Sequence, residues 1–314
     1  MKTTDGGGGV SEKLREEINA LETQLLNVVA GKQQAIRQVL IAMFCGGHVL
    51  IEDLPGMGKT TLAQALAASL DTDFGRIQFT ADLLPADIIG VEIFNPAERG
   101  FEFHPGPIFH HIVLADEINR ATPKAQSALL ESMAEGQVTV ERETRKLPEP
   151  FFVLATQNPS EHLGTFPLPE SQLDRFFMRL SLGYPDKSSE RQLLMGEAGR
   201  EQLQQLTPIE NMQWVEQVRI ESQQVHVSEL FMDYLLQLLE LSRNGEWLKR
   251  GISPRAGKDL LQASKTKAWI DGRDYVAAAD LQEMWLPCLA HRVLAAGESE
   301  AALMQLLETV PVPA

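Results

Sequence analysis

The triplet Gly58-Lys59-Thr60 follows a short run at 48–51 and precedes a helix-favouring stretch, inside the string Ile51-Glu52-Asp53-Leu54-Pro55-Gly56-Met57-Gly58-Lys59-Thr60-Thr61. Glycines at 56 and 58 let the backbone come close to an anion, and the amides of residues 56–60 can converge on it at a helix N-terminus. A lysine so placed meets the β- and γ-phosphates of a nucleotide, and the hydroxyl beside it binds Mg²⁺, which gives those roles to Lys59 and Thr60. The whole loop, Pro55, Gly56, Met57, Gly58, Lys59, Thr60 and Thr61, is therefore the candidate phosphate cradle. One position departs from the generic pattern, because Asp53 stands where the first glycine is usual. A Gly-Lys-Thr turn alone is also an ordinary strand-to-helix connection, so the assignment needs partners.

Ile112-Val113-Leu114-Ala115-Asp116-Glu117 supplies them: the apolar residues bury a strand, and two carboxylates emerge at its C-terminal end, where open α/β sheets bind ligands. Asp116 is expected to hold Mg²⁺ and Glu117 to polarise an attacking water as general base. A second buried strand ends in Ala155-Thr156-Gln157-Asn158-Pro159. An amide at that edge can bond both the γ-phosphate and the water, which makes Asn158 a candidate sensor. Asn-Pro is equally a common turn opener.

These loops need a sheet to hold them. From Ser11 onward Leu14, Ile18, Leu21, Leu25 and Val28 recur at helical spacing, ended by Gly31, and a second helix over 33–45 leads into the strand before the loop. Leu62, Leu66 and Leu70 share one face of the helix that follows. Strands at 76–79, 112–115 and 151–156 then alternate with helices such as 123–134, which predicts parallel strands with helices on both faces. Segments 92–103 and 136–145 read instead as projecting hairpins, candidates for partner contact or plain surface loops. After Tyr184-Pro185-Asp186 the pattern is helical throughout, with Ser228 as a cap, Ser253-Pro254 opening a helix, and a helix over 280–294 interrupted at Pro287. Gly6, Gly7, Gly8 and Gly9 suggest a flexible tether over 1–10.

A chain of 314 residues, 44% hydrophobic and 23% charged, can bury one large core or two modest ones, and two domains are expected. The formal charge of -15 argues against a broad electrostatic footprint for nucleic acid. Cys45 and Cys288 lie in apolar surroundings and read as buried free thiols of a reducing compartment. The longest apolar stretch, 39–51, is too short to span a bilayer, and no cationic segment followed by an apolar one opens the chain, so a cytoplasmic protein is expected. His104, His110 and His111 have no cysteine or carboxylate at ligand spacing and read as loop or core residues.

In order along the chain, Pro-Gly-Met-Gly-Lys-Thr, Leu-Ala-Asp-Glu-Ile-Asn-Arg-Ala, Ala-Thr-Gln-Asn-Pro, Leu-Pro-Glu-Ser-Gln-Leu-Asp-Arg-Phe and Ile-Ser-Pro-Arg-Ala resemble the MoxR family of AAA+ ATPases. The strings at 79–85 and 289–293 are similar to that family too, and the likeness runs from about residue 15 to about residue 295. The family commonly has Asp or Gly at position 53. The resemblance implies an αβα P-loop core over 11–185 with a parallel sheet, an all-helical lid over 186–314, ATP and Mg²⁺ as ligands, and a homo-oligomeric ring, a hexamer. It implies that Arg175 is an arginine finger reaching a neighbour's γ-phosphate, with Arg179 close enough to be a rival. It also implies that Arg255 is a second sensor touching nucleotide in its own subunit. A cation in the first turn of a helix opposes the helix dipole, and a nearby anion would resolve that conflict. The implied activity is ATP hydrolysis that remodels or matures a partner, often one with a von Willebrand factor A domain. The alternatives are a nucleic-acid motor of the related MCM clade and a scaffold that binds nucleotide without turnover.

Overall fold

A computed structural model describes residues 7–141, 143–158, 164–209, 212–295 and 298–312. Arg142 and Pro159, which the sequence reading included in a hairpin and in the sensor string, lie outside the described residues.

Helices α1 (Gly7–Val28) and α2 (Gln33–Phe44) precede β1 (Val49–Glu52), and the phosphate loop joins β1 to α3 (Lys59–Ser69). There follow β2 (Phe74–Gln78), α4 (Pro85–Ile89), the hairpin β3 (Gly90–Asn95) and β4 (Gly100–Pro105), β5 (Ile112–Asp116) and α5 (Pro123–Glu135). The hairpin β6 (Gln137–Val140) and β7 (Glu143–Lys146), β8 (Phe152–Gln157), α6 (Glu170–Leu173) and β9 (Met178–Leu180) complete the first part. The rest is α7 (Lys187–Leu194), α8 (Gln213–Ser222), α9 (Glu229–Asn244), β10 (Leu248–Arg250), α10 (Pro254–Ile270), α11 (Ala278–Leu289), β11 (Leu294–Ala295) and α12 (Ser299–Thr309).

The central sheet has the order β2-β5-β8-β1-β9 and is parallel throughout. Side chains on a strand alternate between faces, and here both faces are covered. Val49, Ile51, Ile112, Leu114, Phe152 and Leu154 enter one apolar cluster with α1, α2 and α3, whereas Leu50, Val113, Ala115, Val153 and Ala155 enter another with α4 and α5. The first cluster continues without interruption into the C-terminal helices through Trp214, Leu238, Leu260, Trp285 and Leu303. Both expected hairpins are present, each as an antiparallel pair.

Three local expectations differ from what is observed. Helix α1 begins at Gly7, inside the expected tether, because extending an existing helix costs far less than nucleating one. The C-terminal part is not helical throughout, since β10 and β11 form a short antiparallel ladder. Helix α11 stops at Leu289, two residues beyond Pro287, rather than running to 294. Ser228 and Ser253 do cap their helices, accepting from the Phe231 and Ala256 amides at 3.2 and 3.1 Å.

Candidate active site

β1 delivers the loop to the C-terminal edge of the sheet, where the chain has turned from β1 toward the far side of β8 and left a crevice. The loop turns on Gly56 and Gly58, whose φ of 85° and 91° are conformations that L side chains rarely adopt. Gly58 is the residue before α3, so the first amides of that helix face the cavity. A cavity of about 300 Å³ is lined by Pro55, Gly56, Gly58, Lys59, Thr60, Thr61, Asp116, Glu117 and Asn158. Thus residues from the ends of β1, β5 and β8 converge on one place. Met57 is the loop residue that does not line it; it packs against the apolar cluster of α1 and α3. The Lys59 ammonium donates to the Asp53 carbonyl oxygen at 2.8 Å. Burial lowers its pKa, and the charges of Asp53, Asp116 and Glu117 act in the opposite direction.

The carboxylates are held by groups to which the sequence alone assigns no role. Thr156, fully buried on β8, donates its hydroxyl to Asp116 Oδ1 at 2.7 Å and accepts the Glu117 amide at 2.9 Å. From β2, Arg76 donates to Asp116 Oδ2 at 2.8 Å and Gln78 donates to Glu117 Oε2 at 3.0 Å. Arg120 stands 3.2 Å from the same Glu117 oxygen. Glu117 itself has φ 58° and ψ 48°, a left-handed conformation that costs a non-glycine residue on the order of 1–3 kcal/mol. The bond to Thr156 and the tight turn Ile118–Arg120, whose Ile118 and Asn119 are buried, hold it there. Register could have flagged these residues: Gln78 pairs with Asp116, and Ala115 with Ala155, so positions 78, 116 and 156 lie side by side at the sheet edge.

Thr60 and Asp116 share the cavity as hard oxygen donors, the ligand type that Mg²⁺ prefers when water and phosphate supply the remainder. Among the described residues no group of three or more His, Cys, Asp or Glu could hold a metal ion.

Asp53, the departure from the generic loop, has a structural task. Its buried carboxylate accepts from Ser181 Oγ at 2.9 Å, the Gly183 amide at 3.2 Å and the Leu182 amide. It therefore ties the base of the loop to the chain leaving β9.

Arg175 and Arg255 are not in this cavity. They line a second one, of about 310 Å³, together with Gly46, Gly47, His48, Arg219, Lys258 and Asp259. Gly46, Gly47 and His48 precede β1, whereas the phosphate loop follows it. The two cavities are thus separated by the length of β1, on the order of 13 Å for four residues at about 3.3 Å each. Arg255 does not line the phosphate cavity of its own chain: its guanidinium lies 3.9 Å from Asp174 Oδ2, beside Arg175. Arg175 donates to the Leu130 carbonyl at 2.9 Å. The rival Arg179 is taken up elsewhere, paired with Glu52 at 3.2 Å and with Glu300.

Residues 48–178 match the model of the ATPase family associated with various cellular activities, and residues 240–309 match the AAA lid domain. A parallel sheet, a glycine-turned phosphate loop after β1 and an Asp-Glu pair at the end of β5 accordingly define an AAA-type P-loop ATPase. The chain is 42% identical over 293 residues to the uncharacterized protein YeaC of Bacillus subtilis, covering 91% of this chain and 92% of that one. It is 35% identical over 326 residues to Chaperone MoxR1 of Mycobacterium tuberculosis, covering 97% and 85%. A crystal structure of a protein from Cytophaga hutchinsonii superposes with a TM-score of 0.88 at 36% identity, covering 98% of each chain. The chain belongs to the MoxR family of AAA+ ATPases.

Proposed function

We propose that this chain hydrolyses ATP in a closed ring of identical copies, a hexamer, and uses the cycle to remodel or mature a partner protein in the cytoplasm. The observation that carries the reading is the position of Arg175 and Arg255 at the opposite end of β1 from Lys59. Neither residue lines its own phosphate cavity, and in this reading both serve the cavity of a neighbouring copy. This revises the role of Arg255 from a contact within one subunit to a contact between two.

In the bound state the amides of the loop and Lys59 hold the β- and γ-phosphates. Thr60 and Asp116 would hold Mg²⁺, which would supply screening of the phosphate charge. Glu117 accepts a proton from the attacking water as its oxygen bonds to the γ-phosphorus and the bond to the ADP oxygen breaks. Asn158 orients that water and the γ-phosphate, while the neighbour's Arg175 and Arg255 stabilise the charge spread over the transferring group. Each site is complete only within an assembly.

A protein partner fits the projecting hairpin β3–β4 better than nucleic acid does. Its exposed Phe94 and Phe101 rings meet at 5.5 Å, and Glu92, Glu98 and Glu102 accompany them where a phosphate backbone would require bases. By family resemblance the partner carries a von Willebrand factor A domain. Affinity capture with Glu117→Gln in ATP identifies it, and recovery of nucleic acid in place of protein would contradict the reading.

Mixed assemblies test the shared site. Arg175→Ala chains keep an intact phosphate cavity, and Glu117→Gln chains keep intact arginines, so co-assembly should restore turnover that neither variant shows alone. Absence of rescue in demonstrably mixed rings rejects the arrangement.

A further inference from the structure

Arg292 lies in the string Leu289-Ala290-His291-Arg292-Val293, which the hydrolytic roles above leave unused. Its side chain is 2% exposed, and its guanidinium joins two elements that are distant in sequence. Nη2 donates to the Phe176 carbonyl at 2.6 Å and lies 3.4 Å from the Phe177 carbonyl, while Nη1 donates to Asp259 Oδ2 at 2.8 Å. Nε stands 3.7 Å from Asp174 Oδ1. Arg292 Nε also lies 3.2 Å from His291 Nε2, which itself lies 2.8 Å from the same Phe176 carbonyl oxygen.

The residues so held are those on either side of Arg175. Asp174 precedes it, and Phe176 and Phe177 follow it. The other anchor, Asp259, is on α10 one turn beyond Arg255, and the second Asp174 oxygen faces Arg255. The segment is also pressed onto the start of β1: the Phe177 amide donates to the His48 carbonyl at 2.8 Å, and a Cβ on Gly47 would lie 2.3 Å from Phe177 Cβ. One buried planar fork therefore ties the backbone that carries Arg175 to the helix that carries Arg255. For stability alone an apolar side chain could fill such a place, since replacing a buried ion pair with packed hydrophobic residues is often neutral or stabilising. What an apolar side chain cannot do is fix direction and distance between two polar elements.

We infer that Arg292 is a positioning residue for ATP hydrolysis, setting the spacing of Arg175 and Arg255 so that both guanidiniums meet the neighbour's phosphates together. This rests on the shared-site reading above. Arg292 touches no nucleotide, and its effect belongs to the copy that donates arginines, not to the copy that binds the nucleotide being cleaved. Misplacement of a catalytic group by about 1 Å can cost on the order of a hundredfold in rate.

The directional test uses full-length chains mixed as Arg175→Ala acceptors and Glu117→Gln donors, in which turnover arises only where an acceptor cavity meets donor arginines. Adding Arg292→Gln to the donor should lower the rescued kcat at least about tenfold, within that limit. KM for ATP should stay within about twofold, because the acceptor cavity is untouched. Adding Arg292→Gln to the acceptor should leave the rescued rate within about twofold, because that chain has already lost its finger. Arg292→Lys in the donor keeps the charge without the fork and should recover only part of the loss. Equal losses on both sides, a loss confined to the acceptor, or no loss on either side overturns the inference. If the unmodified mixture shows no rescue, the shared site itself fails and the inference falls with it. Should Arg292→Gln not fold, Asp259→Asn, which weakens the same tie while leaving Arg292 in place, takes the same test with the same criteria.

Discussion

Thr156 Oγ lies 2.7 Å from Asp116 Oδ1 and donates its proton there while accepting the amide of the next residue, Glu117. One buried hydroxyl thus holds the Asp116 carboxylate and the backbone of Glu117. Thr156→Val keeps the volume and removes both bonds, leaving the Glu117 amide without that acceptor at about 1–3 kcal/mol. Turnover should fall roughly tenfold or more while nucleotide affinity changes little, because only the carboxylate geometry is altered. Steady-state ATPase assays beside binding titration check this, and an equal loss of affinity would assign Thr156 to folding alone.

Lys59 and Glu117 share a cavity, and the proposed mechanism gives them separable tasks. Lys59→Ala should abolish nucleotide binding measured calorimetrically, since it removes the cation that meets the phosphates. Glu117→Gln should bind nucleotide and lower turnover at least about a hundredfold, the range expected for loss of a general base. Retained binding by the first variant or retained hydrolysis by the second contradicts the assignment.

Asp53 accepts from two backbone amides and a hydroxyl in the segment after β9. Asp53→Ala strands those donors under buried conditions, and a loss of about 2–4 kcal/mol is expected from urea unfolding. Asp53→Gly, although closer to the generic loop, should destabilise as much. Unchanged midpoints for both would show that the anchor contributes nothing.

Stability should fall with acid before the carboxylates titrate. Burial pushes the His48 imidazole down to about 4 and that of His291, which also faces Arg292, down to about 3. The neutral His48 ring accepts the Val153 amide at 3.1 Å and donates to the Met133 carbonyl at 3.1 Å, so a second ring proton has no place. Above about pH 6.5 neither the folded nor the unfolded chain protonates these rings. Below it the unfolded chain takes up protons that the folded one refuses, so stability declines from about pH 6.5 toward the lowered values, by up to about 1.4 kcal/mol per unit for each ring. Melting temperatures between about pH 7 and pH 5 measure it, and a flat profile would contradict the burial argument.

Much of the site is legible in the chain because its chemistry is local. A loop, an Asp-Glu pair and an Asn each end an apolar run, and a parallel sheet places such ends at one edge. Arg255 was not legible in the same way. Its neighbourhood depends on how α10 packs beside the start of β1, a tertiary relation fixed by Asp259, Arg292 and the 174–177 segment and carried by no spacing. Strand β9 was hidden for another reason: three residues, Met178–Leu180, give no period to read, and pairing with β1 makes them a strand. Thr156 was in view within the sensor string, but only register against Asp116 reveals its task.

If one copy's arginines serve another's phosphate cavity, as proposed, the opposition of the two cavities along β1 would also govern how copies grow together. A surface that complements another part of the molecule, rather than itself, cannot be satisfied by a two-fold pair. Under the proposed shared site, each copy added to an open row would fill one vacancy and create another, so a terminal catalytic pocket would go unserved until the last copy met the first.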